Sequence, residues 1–218
     1  MKQRGKLSSV KHKSHLVLGC VALVYELVEI IKHNPLVDQL VDLQCLPATL
    51  HNTPQLIANE VDVFLSEHAG HYDDVFVGYG DCGTAGALDV VLKKHQARRF
   101  PGAHCYEFLS GTTAYSDIVK DQIGSFFLSD FLVKFFDRLV VQGLGIDRYP
   151  ELQTVYFKHY TQLVYIAQTE NLELQQQAQQ HAKTLGLSYR YRYVGITGSE
   201  AVIPASVFGE IEVQHVST

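Results

Sequence analysis

Short apolar runs alternate with amphipathic segments along most of the chain, and this alternation restricts the possible folds more than any other feature. The runs HLVLGC (15–20), VFVGY (75–79) and QLVYIA (162–167) are typical of buried strands. A segment such as 84–95 instead carries its apolar residues at helical spacing. Strands that alternate with helices predict an α/β fold, with a doubly wound, largely parallel sheet flanked by helices.

The same patterns give the expected order of elements. We predict strands over 15–20, 39–46, 75–79, 97–100, 162–167 and 189–194. We predict helices over 21–32, 54–68, 84–95, 125–140, 151–160 and 171–185. Residues 1–14 are basic and polar, so we expect a flexible tail there. Because no repeat or linker divides the remainder, residues 15–218 are expected to form a single α/β domain.

Composition excludes several classes of function. A net charge of −5 gives no electrostatic footprint for nucleic acid. The apolar segment after the basic tail mimics a signal peptide, but Glu26 and Glu29 interrupt it, and no stretch reaches the ~20 apolar residues of a membrane span. The four cysteines are too widely spaced for a small disulfide scaffold. We therefore expect a cytoplasmic protein with reduced thiols and no membrane or nucleic-acid partner.

Reactive side chains follow the ends of several predicted strands. Cys20 ends the first strand, Cys82 follows the third, and His104 and Cys105 follow the fourth. Ligands of open α/β sheets bind outside the carboxyl ends of the strands. Three thiolates and one imidazole match a common four-coordinate shell for a soft metal ion. We predict Cys20, Cys82, Cys105 and His104 as metal ligands, with zinc as the first choice and an iron–sulfur cluster or another thiophilic metal as alternatives.

Neighbouring residues could supply acid–base chemistry. Asp81 and Glu107 are the candidate catalytic carboxylates, and Cys82 is expected at a helix N-terminus, where the dipole favours a thiolate. A second hypothesis is a metal-free enzyme with Cys82 as nucleophile and His104 or Glu107 handling protons. Alternatively, His104 caps a helix, Glu107 is an ordinary first-turn acid, and the cysteines are small buried apolar residues.

Three other features give weaker signals. Residues 78–83 match G-x-G-x-x-G, but Asp81 would place a negative charge where a pyrophosphate binds, so a dinucleotide site is not expected. Cys45 and His51 receive no defined role. The phenylalanines of 126–136 suit either the core or a subunit interface, which leaves a homo-oligomer open.

Several motifs together resemble a known family. They are CLPATLHNTP (45–54), GYGDCGTAGALD (78–89), GAHCYEFLSG (102–111) and SFFLSDFL (125–132). The chain is similar to a bacterial and archaeal family catalogued only as a domain of unknown function. Its members are often encoded beside corrinoid-dependent methyltransferases. The resemblance implies a role in one-carbon or methyl-group metabolism, with a small-molecule substrate or a corrinoid methyltransferase as partner. It implies no catalytic residue. A third hypothesis is a non-catalytic module, either an iron–sulfur carrier or an accessory protein for a corrinoid enzyme.

Overall fold

The computed structural model describes residues 14–32, 35–111, 115–118 and 124–195. All but the last residue of the predicted tail, 1–14, lies outside this description. The described part contains seven strands, and every pairing between them is parallel. The strands are β1 (His15–Cys20), β2 (Val41–Leu46), β3 (Asp74–Gly78), β4 (Arg98–Arg99), β5 (Ser125–Ser129), β6 (Gln162–Ala167) and β7 (Ser188–Tyr193). The predicted α/β class is therefore confirmed.

The strands divide between two sheets that are each contiguous in sequence. The first has the order β2-β1-β3-β4, and the second has the order β5-β6-β7. In the first sheet Gly19 pairs with Cys45 on one side and with Gly78 on the other, so the carboxyl ends of three strands lie side by side. The reactive side chains predicted from the sequence follow the strands at this edge.

Helices connect the strands and cover the sheets. Buried apolar side chains spaced along each longer helix, such as Val61 and Leu65, pack toward the core. The helices are α1 (Val24–Lys32), α2 (Pro35–Leu40), α3 (Ile57–His68), α4 (Ala87–His95), α5 (Cys105–Ser110), α6 (Asp130–Lys134), α7 (Glu151–Phe157) and α8 (Leu172–Leu185). Short 3-10 helices precede α1 and α3, and a π-helix, Asp137–Gln142, follows α6.

The predicted helix over 125–140 is wrong in its first part. Residues 125–129 form β5, which pairs with β6 from Ser125–Gln162 to Ser129–Ile166. The hydrogen bonds and packing gained by pairing with β6, whose residues 163–167 are buried, favour a strand here despite the helical spacing of the phenylalanines. The helix starts only at Asp130, where the Ser129 hydroxyl accepts a hydrogen bond from the Leu132 amide at 3.4 Å.

A buried carboxylate fixes the edge of the second sheet. Asp130 is 6% exposed. Its carboxylate accepts hydrogen bonds from the Tyr165 hydroxyl at 2.7 Å, from the backbone amides of Gln168 and Thr169 at 3.1 Å each, and from the Thr169 hydroxyl. This full set of donors allows a carboxylate to lie among phenylalanines. It ties the start of α6 to the end of β6.

Specific hydrogen bonds also join the half of the chain that carries the first sheet to the half that carries the second. The Asn52 amide donates to the Leu139 carbonyl at 2.6 Å, and the Tyr106 hydroxyl donates to the Phe127 carbonyl at 3.0 Å. The buried apolar side chains of both sheets belong to one continuous cluster. The single domain over 15–218 stays a prediction. Within the described ranges no helix is both long and apolar enough to cross a membrane.

Candidate metal centre

Three predicted ligands converge at the carboxyl edge of the first sheet. One ligand atom from each of Cys82, His104 and Cys105 lies within 4.8 Å of the other two. Zinc bonds of about 2.0–2.3 Å hold the ligands of one ion about 4 Å apart. The three side chains, called the triad below, are thus close enough to hold a single metal ion.

A loop of unusual backbone conformation positions Cys82. Cys82 and Ala85 have φ angles of 49° and 52°, and Gly83 and Gly86 are also left-handed. Residues other than glycine rarely adopt such angles, and those that do cluster at functional sites. Because α4 begins at Ala87, Cys82 is not at a helix N-terminus, and the dipole argument for its thiolate is wrong.

Asp81 holds this loop in shape. Its carboxylate accepts hydrogen bonds from the Thr84 hydroxyl at 2.9 Å and from the amides of Ala85 at 3.2 Å and Gly86 at 2.8 Å. The Gly86 amide is the main reason that the pKa of Asp81 is lowered. These contacts give Asp81 a structural role, and the catalytic role expected for it stays a prediction.

Close backbone packing brings the loop to His104. The amides of Asp81 and Cys82 donate to the carbonyls of Gly102 and Ala103 at 3.1 and 2.8 Å. A Cβ atom on Gly80 would lie only 2.9–3.1 Å from three backbone atoms of His104. Glycine at position 80 is therefore a condition for the geometry of the triad.

We expect Gly80→Ala to disturb the centre directly. The added methyl group has to push away the backbone of His104, which costs about 1–3 kcal/mol of unfolding free energy, and it separates His104 from the two thiols. Urea unfolding and metal content measure both effects. Gly70→Ala is the matched control, since a Cβ there meets nothing within 4 Å. A Gly80→Ala protein with wild-type stability and metal content would contradict this account.

His104 and Cys105 occupy the start of α5. His104 is at the N-cap position, but its side chain makes no capping hydrogen bond. Its Nδ1 atom is buried and has no hydrogen-bond partner among the described residues. The ring stacks on Tyr106 at a centroid distance of 5.7 Å, and burial lowers the pKa of His104. A neutral imidazole with an unsatisfied nitrogen suits a metal ligand, and the capping alternative is not observed.

The two triad thiols form a hydrogen-bonded pair. Hydrogen bonding from the Cys105 side chain, assisted by the Cys105 amide, lowers the pKa of Cys82. The same bond, together with burial, raises the pKa of Cys105 well above its ordinary value. Of the pair, Cys82 is therefore the thiol that loses its proton more readily.

Cys20 lies at the same edge but outside the triad. It is 7% exposed at the end of β1, and burial raises its pKa to about 11. The Ala22 backbone and the Tyr79 side chain lower this pKa in part, and the charges of Cys82 and Cys45 raise it further. Cys20 as a ligand stays a prediction. Burial also raises the pKa of Cys45, which sits on β2 away from the triad.

Two further residues that the sequence analysis named, Glu107 and His51, lie near the triad. Glu107 is a first-turn acid of α5, and its carboxylate packs against Gly102 at a point where a Cβ atom would collide with it. Its catalytic role stays a prediction. The His51 ring lies edge-on to Tyr106 at 6.5 Å, and burial, then the charge of His104, lowers the pKa of His51. Sequence reasoning missed the position of Tyr106 between the two histidines, because no periodicity marks it.

Comparison with known proteins identifies the family of the chain but no function. The family model described as "Protein of unknown function (DUF1638)" matches residues 45–203. This range includes the whole triad but not Cys20. No functionally curated protein matches the chain in sequence. The predicted resemblance to an uncharacterised family is thus confirmed, and the chain belongs to the DUF1638 family of proteins of unknown function.

Proposed function

We propose that this protein binds a thiophilic metal ion through Cys82, His104 and Cys105. The observation that carries the proposal is the convergence of three ligand atoms within 4.8 Å. The buried Nδ1 atom of His104, which has no partner among the described residues, supports it further. Such an atom costs free energy unless something binds it.

The donor set favours zinc. Two sulfurs and one nitrogen are a common zinc environment, whereas cubane and rhombic iron–sulfur clusters usually require four cysteines. Three protein ligands leave a fourth position for water or substrate, as in catalytic zinc sites. Cys20 is the candidate that could close this position instead, which would make the site structural.

The site would suit methyl-group or one-carbon chemistry. A bound zinc ion acts as a Lewis acid and activates a coordinated thiol or water. The link to methyl transfer is supported by the likeness of the sequence to a family whose genes neighbour corrinoid-dependent methyltransferases. The substrate in this proposal is a small molecule, and a corrinoid methyltransferase is the proposed partner. The chain's own contribution is to fix two sulfurs and one nitrogen on rigid backbone.

Elemental analysis tests the metal. After anaerobic purification with a reductant we expect about one zinc ion per chain and no colour, because zinc sites of this kind bind tightly. Fewer than about 0.2 metal ions per chain would contradict the proposal, and a brown protein would indicate an iron–sulfur cluster. The Cys20→Ala variant then shows whether the fourth metal position is open or is occupied by Cys20. A variant that retains zinc has an open fourth position, and one that loses it has four protein ligands.

A metal-free cysteine enzyme is the second candidate. It is favoured by the hydrogen bonds that the Cys105 side chain and amide donate to the Cys82 sulfur. This candidate requires a protein without metal in which iodoacetamide modifies Cys82 much faster than the other cysteines. Peptide mass spectrometry identifies the modified residue. Slow labelling that accelerates only after a chelator is added would support the metal site instead.

A further inference from the structure

A cavity of about 240 Å³ lies beyond the carboxyl ends of β1 and β2. One wall is formed by Val21 and by residues 47–49, which follow the two strands. The other wall comes from α6 and the π-helix of the second half of the chain, through Phe131, Phe135, Arg138 and Leu139. We propose that this cavity binds a small organic anion with an apolar body. The proposal does not rest on the metal centre.

The apolar body is inferred from the walls. Apart from the threonine at 49 and Arg138, the lining side chains are hydrocarbon. Phe135 is 42% exposed, and its ring lies 4.7 Å from that of Phe131. Exposed aromatic rings that line a concave site are typical of binding sites for small organic ligands. A flat aromatic or short aliphatic group would cover these rings.

The anionic group is inferred from Arg138. Within the described ranges no carboxylate lies at ion-pair distance from its guanidinium. The same is true of Arg190 and Arg192, but of these three arginines Arg138 is the one that lines this cavity. A guanidinium binds a carboxylate or phosphonate through two parallel hydrogen bonds. A cavity with hydrocarbon walls and one such cation selects a monoanion over a neutral ligand of the same shape.

Arg138 is exposed to solvent, and the backbone that carries it is fixed in place at the cavity. Arg138 belongs to the π-helix, a rare element that is frequent at functional sites. The side-chain amide of Asn52 donates a hydrogen bond to the Leu139 carbonyl of this helix at 2.6 Å. A Cβ atom on Gly143 would collide with the same carbonyl and lie 2.5 Å from the Asn52 nitrogen. The two walls of the cavity are thus fixed to each other before any ligand binds.

Benzoate is the first probe, measured with the full chain by ligand-observed NMR or calorimetry. A ligand of this size in a pre-formed site is expected to bind with a Kd of about 1 mM. Benzamide has the same shape without the charge and should bind at least about tenfold more weakly. Phenylphosphonate replaces benzoate in a parallel titration to identify the preferred anionic group, and dependence on Arg138 with either probe supports the proposal.

Matched variants make the result specific. Arg138→Gln should weaken binding about tenfold or more, whereas Arg148→Gln, with the same charge change at a 72% exposed side chain outside the cavity, should not. Ala48→Leu fills the cavity and should also abolish binding, with circular dichroism confirming the fold. Absence of binding at about ten times the expected Kd, or equal binding by Arg138→Gln, would overturn the proposal. Loss of benzoate binding after metal removal would also overturn it, since the anion would then occupy the metal centre.

Discussion

Replacing Cys105 by serine is expected to remove nearly all bound zinc from the purified protein. The side chain is buried and supplies one of only two sulfurs within 4.8 Å of His104 in the triad. A hydroxyl is a poor ligand for a soft ion and does not ionise at neutral pH, so we expect zinc affinity to fall by at least about a hundredfold. Competition with a coloured chelator measures this affinity.

A control variant and a second triad variant distinguish loss of zinc binding from loss of folding. Cys45→Ser changes a cysteine on β2 that lies outside the triad, and it should retain zinc. His104→Ala removes a ligand that is less buried than Cys105, and it should lose zinc while keeping a native circular dichroism spectrum. If either triad variant bound zinc as tightly as the wild type, the ion would have to be held elsewhere.

Replacing Glu26 by glutamine is expected to stabilise the protein above neutral pH. Glu26 lies on α1, is 3% exposed, and has a carboxylate oxygen without a partner among the described residues. Burial is the main cause that raises its pKa from 4.5 to about 7. The charge of Asp130 raises it further, while Lys134 acts in the opposite direction. The folded state therefore holds a proton that the unfolded chain releases at lower pH.

The sign of the pH dependence follows from this difference. The stability contributed by the neutral carboxyl group is complete below pH 4.5 and is lost as the pH rises through about 7. The loss is on the order of 3 kcal/mol. Glutamine resembles the protonated acid, so the variant should match the wild type near pH 4.5 and exceed it by up to this amount near pH 8.

Urea unfolding at several pH values measures the effect. Glu29→Gln on the same helix is the control, because Glu29 is more exposed than Glu26 and lies 3.7 Å from the Lys32 ammonium group. It should change the free energy of unfolding by less than about 0.5 kcal/mol at every pH. Equal stability of Glu26→Gln and wild type at pH 8 would show that the buried carboxylate is stabilised by contacts other than those described.

The strands were predictable where an apolar run ends abruptly. The runs 15–20 and 162–167 match β1 and β6, because branched and aromatic residues stop at a polar or small residue on each side. The phenylalanines at 126, 127, 131, 135 and 136 are spaced as on a helix, but the short apolar run at 126–128 also suits a buried strand. Only pairing with β6, which is distant in sequence, decides between them.

The site was predictable in its location but not in its details. Ligands bind at the carboxyl ends of parallel strands, and this rule was enough to predict that Cys82, His104 and Cys105 lie close together. The left-handed turn at Cys82 could not be read from the sequence, and neither could the use of Asp81 as its support, because both depend on side-chain to backbone hydrogen bonds within one loop.

The contiguity of the first sheet in the sequence has a consequence for biosynthesis. All three ligands of the triad fall within the stretch 82–105, and the strands that carry them end before residue 106. A ribosome has therefore made every donor atom of the triad when about half of the 218 residues have been translated. Among the later residues that the structure describes, Phe127 supports the triad from outside, because its carbonyl accepts the hydrogen bond of the Tyr106 hydroxyl. An ion held by the triad would therefore find its three donors already synthesised before the ribosome makes β5, β6 and β7.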